Sequence, residues 1–244
     1  MNKLNLFCLP FAGGNKYSYR GYVKHSPPNL NIIPVELPGR GARFKEPLLK
    51  DAHAMANDVL KQIEPLLGEP YAIYGHSMGT LIGYLLTKKI ISKLFPKPKF
   101  LVFTGSGGPS VRQTEPVRYL LPKDKFIQKV RELGGCPEEI LQDENMMIFF
   151  EPILRADFQV VETYQYTASP PFDIPINVMI GLGEKVNYEQ AMAWKNESTA
   201  RVEVRQFPGK HFFIFDYERE ITEIISNITF KLYNDEESTR LSKA

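Results

Sequence analysis

The stretch Tyr71-Ala72-Ile73-Tyr74-Gly75-His76-Ser77-Met78-Gly79 constrains the fold of this chain more than any other. A short apolar and aromatic run, strand-like in composition, stops at a Gly-x-Ser-x-Gly pentapeptide. Leu81-Ile82-Gly83-Tyr84-Leu85-Leu86 follows and reads as helix. Strand must therefore pass into helix through a sharp turn. Gly75 and Gly79 flank that turn, where larger side chains would clash between strand and helix, and the strain lifts the Ser77 hydroxyl out of the sheet. The Met78 amide, at the helix start, then faces the place where an acyl oxygen would gain charge. The pentapeptide alone is loose and arises by chance in many proteins. Its strand–turn–helix context is what a nucleophile elbow needs, and it makes Ser77 the candidate nucleophile.

Strand-like and helix-like runs alternate on either side of the elbow. Leu4–Leu9, Asn31–Val35, Tyr71–Tyr74, Phe100–Thr104, Ile176–Ile180 and Val202–Arg205 read as strands. Lys16–Lys24, Ala52–Leu67, Leu81–Leu94, Tyr188–Trp194 and Tyr217 to about Tyr233 read as helices. This order predicts an α/β fold, a mostly parallel central sheet flanked by helices. Residues 112–167 contribute no convincing strand: Leu120-Leu121-Pro122 opens a helix, Gly134-Gly135-Cys136-Pro137 breaks it, and Met146-Met147-Ile148-Phe149-Phe150 is strongly apolar. A helical insert rich in Met and Phe reads either as a lid over a binding cleft or as an ordinary packed layer. The expected organisation is a single domain over residues 1–233, this insert within it, and a polar, flexible tail over 234–244.

A chain of 244 residues with 43% hydrophobic composition has enough apolar content for that core. Two cysteines, Cys8 and Cys136, lie far apart without a CxxC pattern, which suits reduced thiols in a cytoplasmic protein. Leu4-Asn5-Leu6-Phe7-Cys8-Leu9 is too short for a signal-peptide core, and no apolar run approaches the roughly 18 residues of a membrane span. A soluble intracellular chain is expected. The net charge of +2 excludes little, and the four histidines lack metal-site spacing, so neither metal nor cofactor is expected.

A serine nucleophile needs a base and a group that orients the base, in the chain order Ser, Asp/Glu, His. His211 is the single histidine downstream of Ser77, in the loop Phe207-Pro208-Gly209-Lys210-His211-Phe212-Phe213 after a strand. Loops at the carboxyl ends of parallel strands face the cleft, so His211 is placed to take the serine proton. The loop Gly181-Leu182-Gly183-Glu184-Lys185-Val186-Asn187 follows the preceding strand, and Glu184 is its one carboxylate. Glutamate is a methylene longer than aspartate, so as orienter it requires a loop that stands back slightly. Leu9-Pro10-Phe11-Ala12-Gly13-Gly14 ends the first strand in small residues. An amide there, from Ala12 or from Phe11, pairs with that of Met78 as an oxyanion hole.

These segments carry a resemblance. Phe7-Cys8-Leu9-Pro10-Phe11-Ala12-Gly13-Gly14, Leu37-Pro38-Gly39-Arg40-Gly41-Ala42-Arg43, Gly75-His76-Ser77-Met78-Gly79, Leu133-Gly134-Gly135-Cys136-Pro137 and Gly209-Lys210-His211-Phe212-Phe213 resemble, in order, the stand-alone type II thioesterases of nonribosomal peptide and polyketide assembly lines. The resemblance covers roughly Leu4 to Tyr233. It implies an α/β-hydrolase fold with a helical lid, and hydrolysis of acyl groups from the phosphopantetheine arm of acyl or peptidyl carrier proteins, clearing misprimed or stalled units. It implies Ser77 as nucleophile, His211 as base, Glu184 as acid, and Ala12 and Met78 as oxyanion amides. Phe11, Met146, Phe149 and Phe150 are the candidate acyl contacts, with lid core as the competing reading for the last three.

Two positions depart from the family pattern. Most members carry aspartate where Glu184 stands, and Thr80 replaces a smaller residue after the elbow, either narrowing the acyl pocket or packing beneath the helix. Lys88, Lys89, Lys93, Lys97 and Lys99 form either a solvated face or a steering patch for an acidic carrier protein. A small-molecule esterase or peptidase of the same fold and a non-catalytic carrier-binding protein remain alternatives on sequence, because fold does not dictate substrate. No nucleic acid or membrane partner is expected, and a monomer is the default state.

Overall fold

The computed structural model describes residues 3–111 and 117–241, with side chains through residue 234. Six strands, β1 (Leu4–Leu9), β2 (Leu30–Pro34), β3 (Tyr71–His76), β4 (Leu101–Thr104), β5 (Ile176–Gly181) and β6 (Val202–Phe207), form one sheet. Its order is β2-β1-β3-β4-β5-β6 and every pairing is parallel. The helices are α1 (Arg20–Lys24), α2 (Ala52–Ile63), α3 (Met78–Ser92), α4 (Lys123–Leu133), α5 (Glu138–Gln142), α6 (Glu144–Glu162), α7 (Tyr188–Met192) and α8 (Glu218–Leu241). Every strand expected from the sequence is present to within two residues at each end.

Strand alternation explains the two-sided cover. Phe7, Leu9, Tyr71, Ile73, Leu101, Phe103, Ile176 and Val178 face one layer, packed with α2 and α3 residues such as Val59, Leu60, Ile82 and Leu86. Leu4, Leu6, Cys8, Ala72, Tyr74, Val102 and Met179 face the other, packed with Tyr19, Tyr22, Ile221 and Ile225. Both faces are buried, which is why these strands read as near-continuous apolar runs.

The chain leaves β1 toward β2 on one side and returns to β3 on the other. The carboxyl ends of β1 and β3 therefore flank a topological switch point, where the connecting loops diverge and leave a crevice. The β1 end carries the Phe11–Gly14 segment and the β3 end carries Ser77.

Between β4 and β5, the insert folds as α4, α5 and α6 around its own small core of Phe126, Val130, Leu141, Met147, Leu154 and Phe158. The expected start of this insert, residue 112, lies outside the described residues. The last helix differs from expectation: α8 continues past Tyr233 to Leu241. Residues 234–240 include Glu236, Glu237 and Arg240 and no Gly or Pro, so nothing local stops the helix at Tyr233. Among the described residues, no helix is long and apolar enough to cross a membrane.

Candidate active site

Ser77 caps the N-terminus of α3 with φ 53° and ψ −115°, a backbone state that a residue with a Cβ adopts only under constraint. The constraint is visible. The Ser77 amide donates to the Thr104 carbonyl on β4 (2.9 Å), and the Ser77 carbonyl accepts both the Thr80 amide (2.9 Å) and the Thr80 hydroxyl (2.7 Å). Thr80 is buried and braces the elbow from beneath, which decides between its two sequence readings. The glycines act through close approach. A Cβ on Gly75 would lie 2.3 Å from the Gly79 carbonyl oxygen, and one on Gly79 would lie 2.4 Å from the Leu9 carbonyl oxygen. Gly79 thus lets the start of α3 press against the end of β1, bringing the Met78 and Ala12 segments to one place. Met78 is the first residue of α3, so its N–H has no intrahelical partner.

His211 and Glu184 meet across two loops. His211 Nδ1 donates to Glu184 Oε2 at 2.9 Å, and the Glu184 side chain is 2% exposed. The second carboxylate oxygen, Oε1, accepts the Gly181 amide at 2.6 Å. Backbone bonds zip the two loops together beyond the strand ends, from Leu182 N–H to Phe207 C=O and from Gly183 N–H to Gly209 C=O, each 2.8 Å. The extra methylene of glutamate is therefore taken up by a side chain that folds back onto its own strand end. A carboxylate only accepts, so Nδ1 carries the proton and Nε2 carries the lone pair a base requires. Nε2 is shielded from solvent and has no hydrogen-bond partner among the described residues.

Thr104 and Gly105 tie the base to the elbow. Thr104 holds the Ser77 amide, and a Cβ on Gly105 would sit 3.1 Å from His211 Cε1. His76 lies between them, fully buried, its Nδ1 paired with the Thr104 hydroxyl at 2.9 Å and its ring centroid 4.8 Å from that of His211. Burial first, and a His211 charge second, push the His76 pKa well below the ordinary imidazole value. His76 is a neutral packing partner rather than a second base.

The insert meets the base loop directly, at Gly135 and Phe212. The ring of Phe212, next to His211, lies where a Cβ on Gly135 would fall, 2.3 Å from Phe212 Cε2. Phe11 is buried and packs edge-on against Phe212 (5.0 Å), His76 (5.7 Å) and Phe215 (5.7 Å). Of the candidate acyl contacts on α6, Phe150 packs on the insert's core, while Met146 and Phe149 are exposed. The Phe149 ring lies 6.1 Å from that of Phe44.

The profile of the family described as Thioesterase domain matches residues 4–232. This chain belongs to the thioesterase domain family. Gramicidin S biosynthesis protein GrsT of Aneurinibacillus migulanus is 36% identical to this thioesterase over 224 residues, 91% of this chain and 88% of that protein. Among solved structures, ClbQ from the colibactin NRPS/PKS pathway superimposes with a TM-score of 0.90 at 26% identity, covering 95% of this chain and 99% of ClbQ. The type II thioesterase BorB from the borrelidin biosynthetic cluster superimposes at 0.85 and 27% identity, covering 93% of each chain. The fold, the thioesterase class and the resemblance drawn from the sequence agree with these relatives.

Other sequence readings are placed as follows. Cys8 is buried on β1, and burial pushes its thiol pKa up, as suits an inert core thiol. Lys88 and Lys89 lie near the C-terminal end of α3, about 15–20 Å from Ser77 by helix rise, and Lys93, Lys97 and Lys99 follow the end of that helix. Sequence reading missed the buried carboxylates Glu36, Asp157 and Glu197, of which Asp157, on α6, reaches the Gly13 amide. Its signal was available: Asp157 occupies the helical stripe of Ile153, Leu154, Phe158 and Val160, all buried, where a carboxylate needs a partner.

Proposed function

We propose that this thioesterase is a stand-alone, type II enzyme that hydrolyses acyl thioesters from the phosphopantetheine arm of carrier proteins of a nonribosomal peptide or polyketide synthase. It acts as a monomer and clears misprimed or stalled acyl groups. The observation that carries the reading is the Glu184–His211 pair, with a shielded Nε2 that has no hydrogen-bond partner among the described residues, beside a strained serine elbow in a chain of this family. The pathway follows the printed descriptions of its relatives, two of them NRPS/PKS-associated or type II.

In this mechanism His211 Nε2 takes the Ser77 proton as Oγ attacks the thioester carbonyl. The Ala12 and Met78 amides hold the oxyanion, and the pantetheine thiol leaves with the proton from His211. Water, deprotonated by the same nitrogen, then attacks the acyl-enzyme and returns Ser77 to its starting state. Glu184 keeps the imidazole in the Nδ1–H tautomer and stabilises the imidazolium that forms. Exposed Met146 and Phe149 offer apolar surface to the acyl group, Phe150 backs them from the insert's core, and Phe11 supports the base loop.

The test is single-turnover release of acetyl and longer acyl groups from a phosphopantetheinylated carrier protein. Release by the wild type that vanishes in Ser77→Ala supports the reading. Hydrolysis of simple esters with no release from any carrier would replace it by a small-molecule esterase.

A further inference from the structure

The buried carboxylate of Asp157 makes contacts that the reaction scheme above leaves unexplained. Asp157 has no exposed surface, and Arg40, from the loop after β2, is 3% exposed. The pair is bidentate: Arg40 Nη1 donates to Oδ2 at 2.6 Å and Nη2 to Oδ1 at 2.7 Å. Neither partner is saturated by the other. Oδ2 also accepts the Gly13 amide at 2.8 Å, and Arg40 Nη1 also donates to the Gly14 carbonyl at 3.1 Å. The ion pair therefore grips the Gly13-Gly14 dipeptide at both ends, by its N–H and by its C=O.

That dipeptide completes the segment that supplies the oxyanion amide. Gly14 N–H donates to the Phe11 carbonyl at 2.9 Å, closing a turn over Phe11, Ala12, Gly13 and Gly14, and Gly13 has φ +79° at the third position. This is the pattern of a type II turn, and the Phe11 carbonyl that Gly14 N–H holds shares its planar peptide with the Ala12 N–H, so the placement of the turn sets where that amide points. The Gly13 and Gly14 amides are occupied, by Asp157 and by Phe11, and neither is available to a substrate oxygen. Leu154, one turn before Asp157 on α6, packs so closely that a Cβ on Gly13 would lie 2.5 Å from its Cδ2. One face of α6 thus holds the turn by an ion pair and by an apolar contact.

We propose that Asp157 is a positioning residue for hydrolysis: paired with Arg40, it sets the orientation of the Phe11–Gly14 turn and so the aim of the Ala12 amide, making the seating of α6 part of the oxyanion hole. The inference rests on the assignment of Ala12 as an oxyanion donor. A hole works by donors fixed before charge develops, so a turn free to rotate loses transition-state stabilisation while substrate binding is spared. α6 and the turn that stabilises the oxyanion then act as one unit.

The experiment compares wild type with Asp157→Asn, with Arg40→Met/Asp157→Leu, and with Ala12→Pro. The double substitution replaces a buried ion pair by apolar side chains, a change that folds tolerate far better than loss of one partner. Proline suits the second position of a type II turn, so Ala12→Pro removes one N–H with the turn kept. Readouts are kcat and KM on an acyl carrier protein, the Tm, and the affinity of an alkyl boronic acid, whose tetrahedral adduct on Ser77 places an oxygen in the hole. Both Asp157 variants are expected to lower kcat and boronate affinity together, by about tenfold or more, with KM within about twofold and the Tm of the double variant near that of the wild type. Ala12→Pro is expected to lower both by about 10²-fold. A double variant that keeps kcat and boronate affinity, or that loses kcat without boronate affinity, overturns the role of Asp157. If Ala12→Pro still impairs both in that case, the oxyanion assignment stands without it. Silence in Ala12→Pro as well removes the oxyanion assignment and the positioning role together.

Discussion

Glu184 reaches His211 Nδ1 with one carboxylate oxygen and the amide of Gly181 with the other, at 2.9 and 2.6 Å. Glu184 stands three positions after Gly181, so the loop closes on itself through the carboxylate that holds His211. A glutamate fits here because its added length is used in that return.

This geometry ranks the substitutions at Glu184. Glu184→Gln presents an amide that allows the wrong imidazole tautomer, and kcat is expected to fall by about 10³–10⁴-fold. Glu184→Asp keeps the charge but reaches one partner at a time, so a loss of about 10- to 10²-fold is expected, smaller than for Gln. Steady-state hydrolysis of acyl carrier protein measures both, and equal losses would argue against the orienting role.

The elbow stores backbone strain at Ser77. Ser77→Gly relieves the positive φ, a strain of about 1–3 kcal/mol, against an added unfolded-state entropy of under about 1 kcal/mol. The variant is expected to be inactive yet more stable, by about 1 kcal/mol or a few degrees in Tm. Calorimetry decides it: a Tm equal to or below that of the wild type contradicts strain at this residue.

At Gly79 the added methyl meets backbone, not a flexible side chain. Gly79→Ala would set a Cβ 2.4 Å from the Leu9 carbonyl oxygen and force α3 away from the β1 end. A destabilisation of about 1–3 kcal/mol is expected, with kcat falling more than KM rises because the Met78 and Ala12 amides separate. Urea unfolding alongside kinetics tests this, and an unchanged kcat in a folded variant would refute the coupling.

His76 gives stability a defined pH dependence. Its pKa is held well below the ordinary imidazole value of 6.5, chiefly by burial, so below that pH the unfolded chain takes up a proton that the folded chain refuses. Stability from this group is complete above pH 6.5 and is lost as pH falls toward the depressed folded value, with a slope of up to about 1.4 kcal/mol per pH unit. His76→Asn keeps a donor for Thr104 without the titration. Urea midpoints between about pH 6.5 and 5 are expected to fall more steeply in the wild type than in this variant. Parallel slopes would show that His76 titrates alike in both states.

Much of the molecule was legible in one dimension because its signals are local. The order of strands and helices follows apolar periodicity, which both faces of a parallel sheet impose along each strand. Ser77 was legible because the elbow is built from adjacent residues, and His211 and Glu184 because each follows a strand whose carboxyl end faces the cleft. The helix end at Leu241 was not legible: polar composition suggested a tail, while propensity and the absence of Gly or Pro let the helix run on.

The remainder was decided by tertiary structure. Whether Thr80 narrows a pocket or braces the elbow depends on where its hydroxyl points, and it points to the Ser77 carbonyl. Whether Met146, Phe149 and Phe150 face outward or inward depends on how α6 is rotated within the insert, which of the three sets only Phe150 against the insert's core. Asp157 and Arg40 are 117 residues apart, and neither local pattern names the other as partner. The sequence by itself determined the order of the elements and which candidate groups stand at the strand ends, because periodicity, turn residues and chain order act over short spans. Only the folded chain decided how those groups are held, because burial and pairing depend on distances that the backbone must close.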